Sequence, residues 1–134
     1  MRPIGIFGGT FDPIHYGHLR TAFEILQALR FGEIRFVPSG DPPHRGASIA
    51  KAALRFDMVS AATAAETGFV VDDCELRRNG PSYTIDTLSA MREEISDQPM
   101  GLILGMDAFL GLTSWHRWDE LLNYAHIVVA HRPG

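Results

Sequence analysis

The sequence predicts an α/β fold: an open, mainly parallel five-stranded sheet with helices on both faces. Three observations predict it. Short apolar runs alternate with stretches of helical periodicity, giving the order β-α-β-α-β-α-β-α-β. The first strand–helix–strand unit has the length of a right-handed crossover between parallel strands. The segments richest in candidate ligand groups, 8–18, 39–45 and 105–115, each follow a predicted strand, and 82–87 opens a helix after the extension of the third. An open α/β sheet places its crevice outside the carboxyl ends of its strands.

Residues 4–7 form an apolar run and a buried first strand. Residues 19–29 follow with Leu19, Phe23, Leu26 and Ala22, Ile25, Leu29 at helical spacing. Between them lies Gly8-Gly9-Thr10-Phe11-Asp12-Pro13-Ile14-His15-Tyr16-Gly17-His18, a strand-to-helix turn. Gly8 and Gly9 let the backbone approach a ligand without a Cβ in the way. The helix N-terminus offers unpaired N–H groups to a phosphate. With a helix beginning near Pro13, His15 and His18 lie on one face and can donate to phosphate oxygens. Two plainer readings stand beside this: a tight turn capped by histidines, and a metal site of Asp12, His15 and His18. The second lacks a further ligand at metal spacing, so no metal is expected on protein ligands here. The turn is neither a Walker A loop nor a dinucleotide fingerprint, because neither glycine pattern is present.

Phe31-Gly32 closes the first helix, with Gly32 as its C′ residue, and 33–38 reads as the second strand. The loop 39–46 holds His44 and Arg45, which contact phosphates if it folds over the first turn; a polar surface loop is the plainer reading. Residues 51–66 form an alanine-rich helix with Leu54, Met58, Val59 and Ala62 on one side; Arg55 either pairs with a carboxylate or ligand or, on the plainer reading, lies on a solvated face. Residues 69–71 form the third strand, followed by the paired carboxylates Asp72 and Asp73, which suggest a metal or acid/base role or, on the plainer reading, strand-end solvation, and by Cys74, read as a small packed residue. The next helix opens at 82–88, with Ser82 or Thr84 as N-cap and Leu88, Met91 and Ile95 buried. Residues 100–105 form the fourth strand. Asp107 then either bonds ribose hydroxyls or caps a helix. Trp115 can stack on a flat ring, Trp118 reads as core, 119–122 as a short helix and 125–130 as the fifth strand.

The eleven-residue run 8–18, together with Pro42-Pro43-His44-Arg45, Ser82-Tyr83-Thr84-Ile85-Asp86-Thr87 and Gly105-Met106-Asp107, resembles the motifs of the bacterial nicotinate mononucleotide adenylyltransferases. These belong to the His-x-Gly-His nucleotidyltransferase superfamily and have a Rossmann-like sheet. The resemblance runs from Ile4 to Gly134. It implies transfer of AMP from ATP to nicotinate mononucleotide, giving deamido-NAD and pyrophosphate. Thr10, His15 and His18 would hold the ATP phosphates, with His18 closest to the reacting centre. Gly8, Gly9 and Phe11 belong to the same motif, and His44 and Arg45 would sit beside the substrate phosphates. Tyr83, Thr84 and Thr87 would line the nicotinate pocket, with Thr84 near the ring carboxylate. Gly105 and Asp107 would face the ATP ribose, and Trp115 would stack on the pyridine. Mg²⁺ would arrive with ATP. Relatives carry a further segment with an Ile-Ser-x-Thr-x-x-Arg motif that is absent here, so the chain is expected to be a C-terminally truncated form. Two alternatives remain: another small-molecule nucleotidyltransferase, such as a pantetheine-phosphate adenylyltransferase, and a nucleotide-binding fragment that does not complete the reaction.

Composition sets the limits. The 134 residues make one domain, 1–134, and an apolar fraction of 46% makes it globular. A net charge of −4 argues against a nucleic-acid surface. Cys74 is the one cysteine, so no internal disulfide forms, which suits a cytoplasmic protein. The first strand begins at once, leaving no room for a signal peptide, and no apolar run approaches the roughly 20 residues of a membrane span. A fifth strand without a cover would expose apolar surface and favour a homo-oligomer.

Overall fold

The computed structural model describes residues 2–40, 51–78, 82–95 and 97–131. Its strands are β1 (Ile4–Gly9), β2 (Glu33–Pro38), β3 (Phe69–Val71), β4 (Met100–Gly105) and β5 (His126–Ala130). They form one parallel sheet in the order β3-β2-β1-β4-β5. The chain builds outward from β1 in one direction through β2 and β3, then in the other through β4 and β5. The reversal lies between β1 and β4, where a doubly wound sheet opens its ligand crevice. Ile4 is in register with both Glu33 and Met100, so the three central strands start level.

Side-chain alternation along the strands builds two cores. On one face, Ile4, Ile6, Val37, Leu102 and Leu104 pack with Ile85, Leu88 and Met91 of α3 (Thr84–Ile95). On the other, Ile34, Phe36 and Ile103 pack with Ala22 of α1 (Tyr16–Ala28) and Val59 of α2 (Ala52–Thr63). Beyond β4 come a short helix α4 (Met106–Leu110) and two 3-10 turns, Leu112–Ser114 and Trp118–Asn123. No helix among the described residues is long and apolar enough to cross a membrane.

Several expectations need correction. Helix α1 begins at Tyr16, not near Pro13, because His15 is extended and serves as the N-cap. Phe23 and Leu29 of its apolar stripe are exposed, so the stripe is narrower than its periodicity implied. The left-handed C′ residue is Arg30 (φ 54°), not Gly32. Phe31 N–H reaches Leu26 O at 3.1 Å and Arg30 N–H reaches Gln27 O at 3.4 Å, a Schellman pair that supports the conformation at Arg30. Gly32 instead donates to Pro3 O at 2.8 Å.

In α2 the buried face is Arg55, Val59 and Thr63, while Leu54 faces solvent. Asp72 is not merely solvated: it pairs with Arg35 at 3.4 Å and accepts from Cys74 N–H at 3.0 Å. Trp118 is 42% exposed, because Leu121 takes the adjacent core position and Arg117 turns the chain through the left-handed region at φ 52°. The short helix expected at 119–122 is present as a 3-10 helix, Trp118–Asn123. Thr84 is the first residue of α3, and Ser82 Oγ makes no hydrogen bond, so Ser82 does not cap that helix.

Candidate active site

The turn after β1 is held by its own imidazoles. His15 Nδ1 accepts from Gly17 N–H at 3.1 Å, and His18 Nδ1 accepts from His15 N–H at 3.1 Å. The two rings lie with centroids 3.9 Å apart. Phe11 and Phe7 meet the ring of His18 edge-on, at 5.1 and 6.2 Å. A neutral imidazole whose Nδ1 accepts must carry its proton on Nε2. These hydrogen bonds therefore assign the tautomer and make each Nε2–H a donor. Capping and ligand binding are compatible uses of the same two rings. Metal binding fits poorly, since Nδ1 is engaged and Nε2 is protonated. Among the described residues, no three His, Cys, Asp or Glu groups cluster to hold an ion.

Behind the turn sits Arg55, whose side chain is 1% exposed and the largest fully buried one among the described residues. Its guanidinium donates to Thr10 O at 2.8 Å, Ser39 O at 2.7 Å and Gly40 O at 3.4 Å. One cation thus ties the loop after β1 to the loop after β2. Burial lowers its pKa from the ordinary arginine value, with the charge of Asp12 opposing. Gly40 carries the contact onward: a Cβ there would lie 2.6 Å from Glu75 O, so only glycine lets these two backbones meet.

Between the ends of β1 and β4 lies a cavity of about 270 Å³. Gly8, Gly9, Thr10, Thr84, Thr87, Gly105 and Trp115 line it, as the sequence led one to expect. Phe7, Gly17, His18, Thr21, Gly105 and Ala130 enclose an adjoining hollow of about 210 Å³. Asp107 lines a more open one with Gly105 and His131. Gly105 is common to all three. A Cβ there would meet nothing within 4 Å, and one at Gly8 would meet Val37 O alone, at 3.8 Å, so both glycines border open space.

Other expected site residues fall elsewhere. Phe11 is in the core at φ 49°, where it supports His18 and does not face the crevice. Tyr83 stacks on His116 at 4.3 Å and does not line the cavity. His15 is on the surface of the turn beside His18. His44 and Arg45 lie outside the described residues.

The sequence reading missed Arg55, Ser39, Ser82 and Glu75. Ser39, Ser82 and Glu75 line the main cavity. Glu75 is buried, and its carboxylate accepts from Thr87 Oγ1 at 2.6 Å, while Arg78 donates to the same hydroxyl at 3.2 Å. Burial pushes the Glu75 carboxyl above its ordinary range, against the Thr87 hydrogen bond and the Arg78 charge. Burial also pushes the Cys74 thiol up to about 12, which leaves it inert as a nucleophile.

The profile of the Cytidylyltransferase-like family matches residues 6–133. The chain belongs to this family. Among curated relatives, it is 55% identical over 132 residues to a probable nicotinate-nucleotide adenylyltransferase of Aeromonas hydrophila, covering 98% of this chain and 62% of that one. It is 53% identical over 131 residues to the protein of the same name from Methylococcus capsulatus, covering 97% of this chain and 62% of that one. The chain thus spans 62% of the length of these relatives. Among solved structures, the nicotinic acid mononucleotide adenylyltransferase of Plasmodium falciparum in complex with NaAD superposes with a TM-score of 0.81 at 19% identity, covering 100% of this chain and 77% of that one. At that identity the match speaks for the fold alone.

Proposed function

We propose that this member of the cytidylyltransferase-like family transfers AMP from MgATP to nicotinate mononucleotide, giving deamido-NAD and pyrophosphate. The observation that carries the proposal is the close, tilted histidine pair, fixed in the Nε2–H tautomer at the N-terminus of α1, beside an apolar cavity that Trp115 and the start of α3 enclose. The curated relatives at 53–55% identity carry the name of this activity, which supports the substrate pair.

The 5′-phosphate oxygen of the mononucleotide forms a bond to the α-phosphorus of ATP as the bond to the β-phosphate oxygen breaks. No protein nucleophile is required, so catalysis is positioning and charge stabilisation. His18 and His15 donate through Nε2–H to the ATP phosphates, with Thr10 and the α1 N-terminus alongside. The Mg²⁺ travels with ATP and neutralises phosphate charge. Trp115 stacks on the pyridine, and the N–H groups opening α3 at Thr84 face its carboxylate. Asp107 takes the ATP ribose. His44 and Arg45 belong to the phosphate side on the motif alone. A single cysteine with no partner for an internal disulfide suits a reducing cytosol.

The test is pyrophosphate release by this chain with MgATP and, in parallel, nicotinate mononucleotide, nicotinamide mononucleotide and phosphopantetheine. Release with the nicotinate compound alone supports the proposal. Release with phosphopantetheine alone replaces the substrate. Binding of nicotinate mononucleotide without release in any arm reduces the chain to a nucleotide-binding unit.

A further inference from the structure

The main cavity carries a single ionisable side chain. Of the described residues that line it, Glu75 alone can bear a charge; the others are glycines, hydroxyl side chains and apolar groups. Glu75 is 8% exposed. Its Oε2 accepts from Thr87 Oγ1 at 2.6 Å, and Arg78 donates to that hydroxyl at 3.2 Å without reaching the carboxylate. Oε1 has no hydrogen-bond partner among the described residues. It is not sealed in either, because the fully occluded unpaired side-chain atoms among those residues are Ser39 Oγ and Ser82 Oγ. Glu75 Oε1 therefore opens onto the cavity that the residue lines. The backbone that carries it is held: Cys74 N–H donates to Asp72 Oδ1 at 3.0 Å, Leu76 N–H donates to Asp73 O at 2.9 Å, and Glu75 O lies against Gly40. Buried carboxylates in folded proteins are paired with a cation or fully hydrogen-bonded, and this one is neither. Burial raises its pKa, against the Thr87 hydrogen bond and the Arg78 charge, and Asp72 raises it further. A positive group in the cavity would act in the opposite direction.

We propose that Glu75 is a specificity-determining residue whose Oε1 faces the positive ring of a bound N-glycosylated pyridinium, so that the site takes cationic pyridine nucleotides and disfavours ligands whose ring is uncharged. The inference rests on the substrate proposed above and deepens it. In nicotinate mononucleotide the ring nitrogen carries the glycosidic bond and with it a formal positive charge. Trp115 lines the same cavity as Glu75, so the ring would meet an indole face and a carboxylate, the two kinds of group that attract an aromatic cation. In a cavity of about 270 Å³, a ring stacked on Trp115 stays within Coulomb range of Glu75. A neutral ligand such as phosphopantetheine gains nothing from this carboxylate.

The experiment compares nicotinate mononucleotide with its 1,4-dihydro form, which keeps the phosphate, the ribose and the carboxylate and loses the ring charge. Kd values are measured by calorimetry for wild type, E75Q and E75D, with the thermal midpoint of each chain. Wild type should bind the pyridinium form about tenfold or more tightly than the dihydro form. Trp115 contributes to that preference, and the share of Glu75 is the part that E75Q removes. E75Q should weaken the pyridinium form about tenfold and leave the dihydro form within about twofold. E75D, which keeps the charge, should retain the preference. Equal affinity of wild type for the two forms overturns the proposal. An unchanged ratio in E75Q, or an equal loss for both forms, also overturns it, the second making Glu75 a support of the cavity wall. Loss of the folding transition in both variants makes the residue structural and overturns the assignment. In each of these cases wild type still binds the mononucleotide and the substrate reading stands. Wild type binding neither form refutes that reading, and this inference with it.

Discussion

The two walls of the crevice are completed to different degrees. On the β1–α1 wall most polar groups are satisfied from within the fold, the Ser39 hydroxyl excepted. His15 and His18 accept backbone N–H groups, and Arg55 gives its protons to the carbonyls of Thr10, Ser39 and Gly40. On the facing wall the Ser82 hydroxyl is buried and unpaired, and the Glu75 carboxylate is held away from solvent by Thr87. The difference fits the ligands each wall is proposed to meet. Phosphate charge is stabilised only by donors already in place, because donors that reorganise during the reaction lose most of their benefit.

The strongest way to break this contrast is at Arg55. The R55A substitution strands three carbonyls that the guanidinium satisfied, and each unsatisfied group costs about 1–3 kcal/mol. We expect a loss of about 3 kcal/mol or more in denaturant unfolding, with R55K intermediate because an ammonium cannot reproduce the planar fork. A fully stable R55A would remove Arg55 from the organisation of the crevice.

The next largest effect is at His18. Asn places an amide oxygen where Nδ1 was and no donor where Nε2 was. H18N should therefore keep the cap and the unfolding midpoint while lowering kcat by about 10²- to 10³-fold. The KM for nicotinate mononucleotide should stay nearly constant. A KM effect without a kcat effect would place His18 on ground-state binding.

W115A should weaken nicotinate mononucleotide by about tenfold in direct binding while changing ATP binding little. Equal losses for both ligands would make Trp115 a packing residue, a role its contact with the core already gives it in part.

The smallest effect is at Glu75. Because burial raises its pKa in the folded chain, Glu75 favours folding while protonated. That contribution is present below the ordinary carboxylate range and is lost as pH rises through the raised value. E75Q keeps an acceptor for Thr87 without the charge. Its stability relative to wild type should improve from acid to neutral pH, as read from unfolding midpoints across that range. A pH-independent difference would mean that Arg78 compensates the charge fully.

Much of this architecture was legible beforehand, and the exceptions share a cause. The strands β2, β3 and β4 were readable to the residue because β3 and β4 are apolar runs and β2 alternates polar and apolar residues at its start, each between turn formers. The Gly8–Gly9–Thr10 turn, Thr84, Thr87, Gly105 and Trp115 were readable because motif order places them after strands, and the cavity gathers them. The start of α1 was misread because histidine is an unusual cap, and only its hydrogen-bond partners reveal that use. Leu54 and Arg55 were misplaced because periodicity ranks side chains by apolarity. It does not register that carbonyls 45 and 16 residues away converge on one inward slot. Trp118 was misplaced for the complementary reason: its core position had gone to Leu121.

The sequence by itself determined the doubly wound parallel sheet, the turn between β1 and α1 and the family, since local periodicity and motif order depend on neighbours along the chain. Only the tertiary structure decided that Arg55 is a buried clamp, that the two imidazoles share one tautomer, and that the Ser39 and Ser82 hydroxyls are buried without a hydrogen bond. Each of those depends on which donors and acceptors meet across the sheet ends. That is fixed by the packing of β1 against β2 and β4, and no spacing along the chain encodes it.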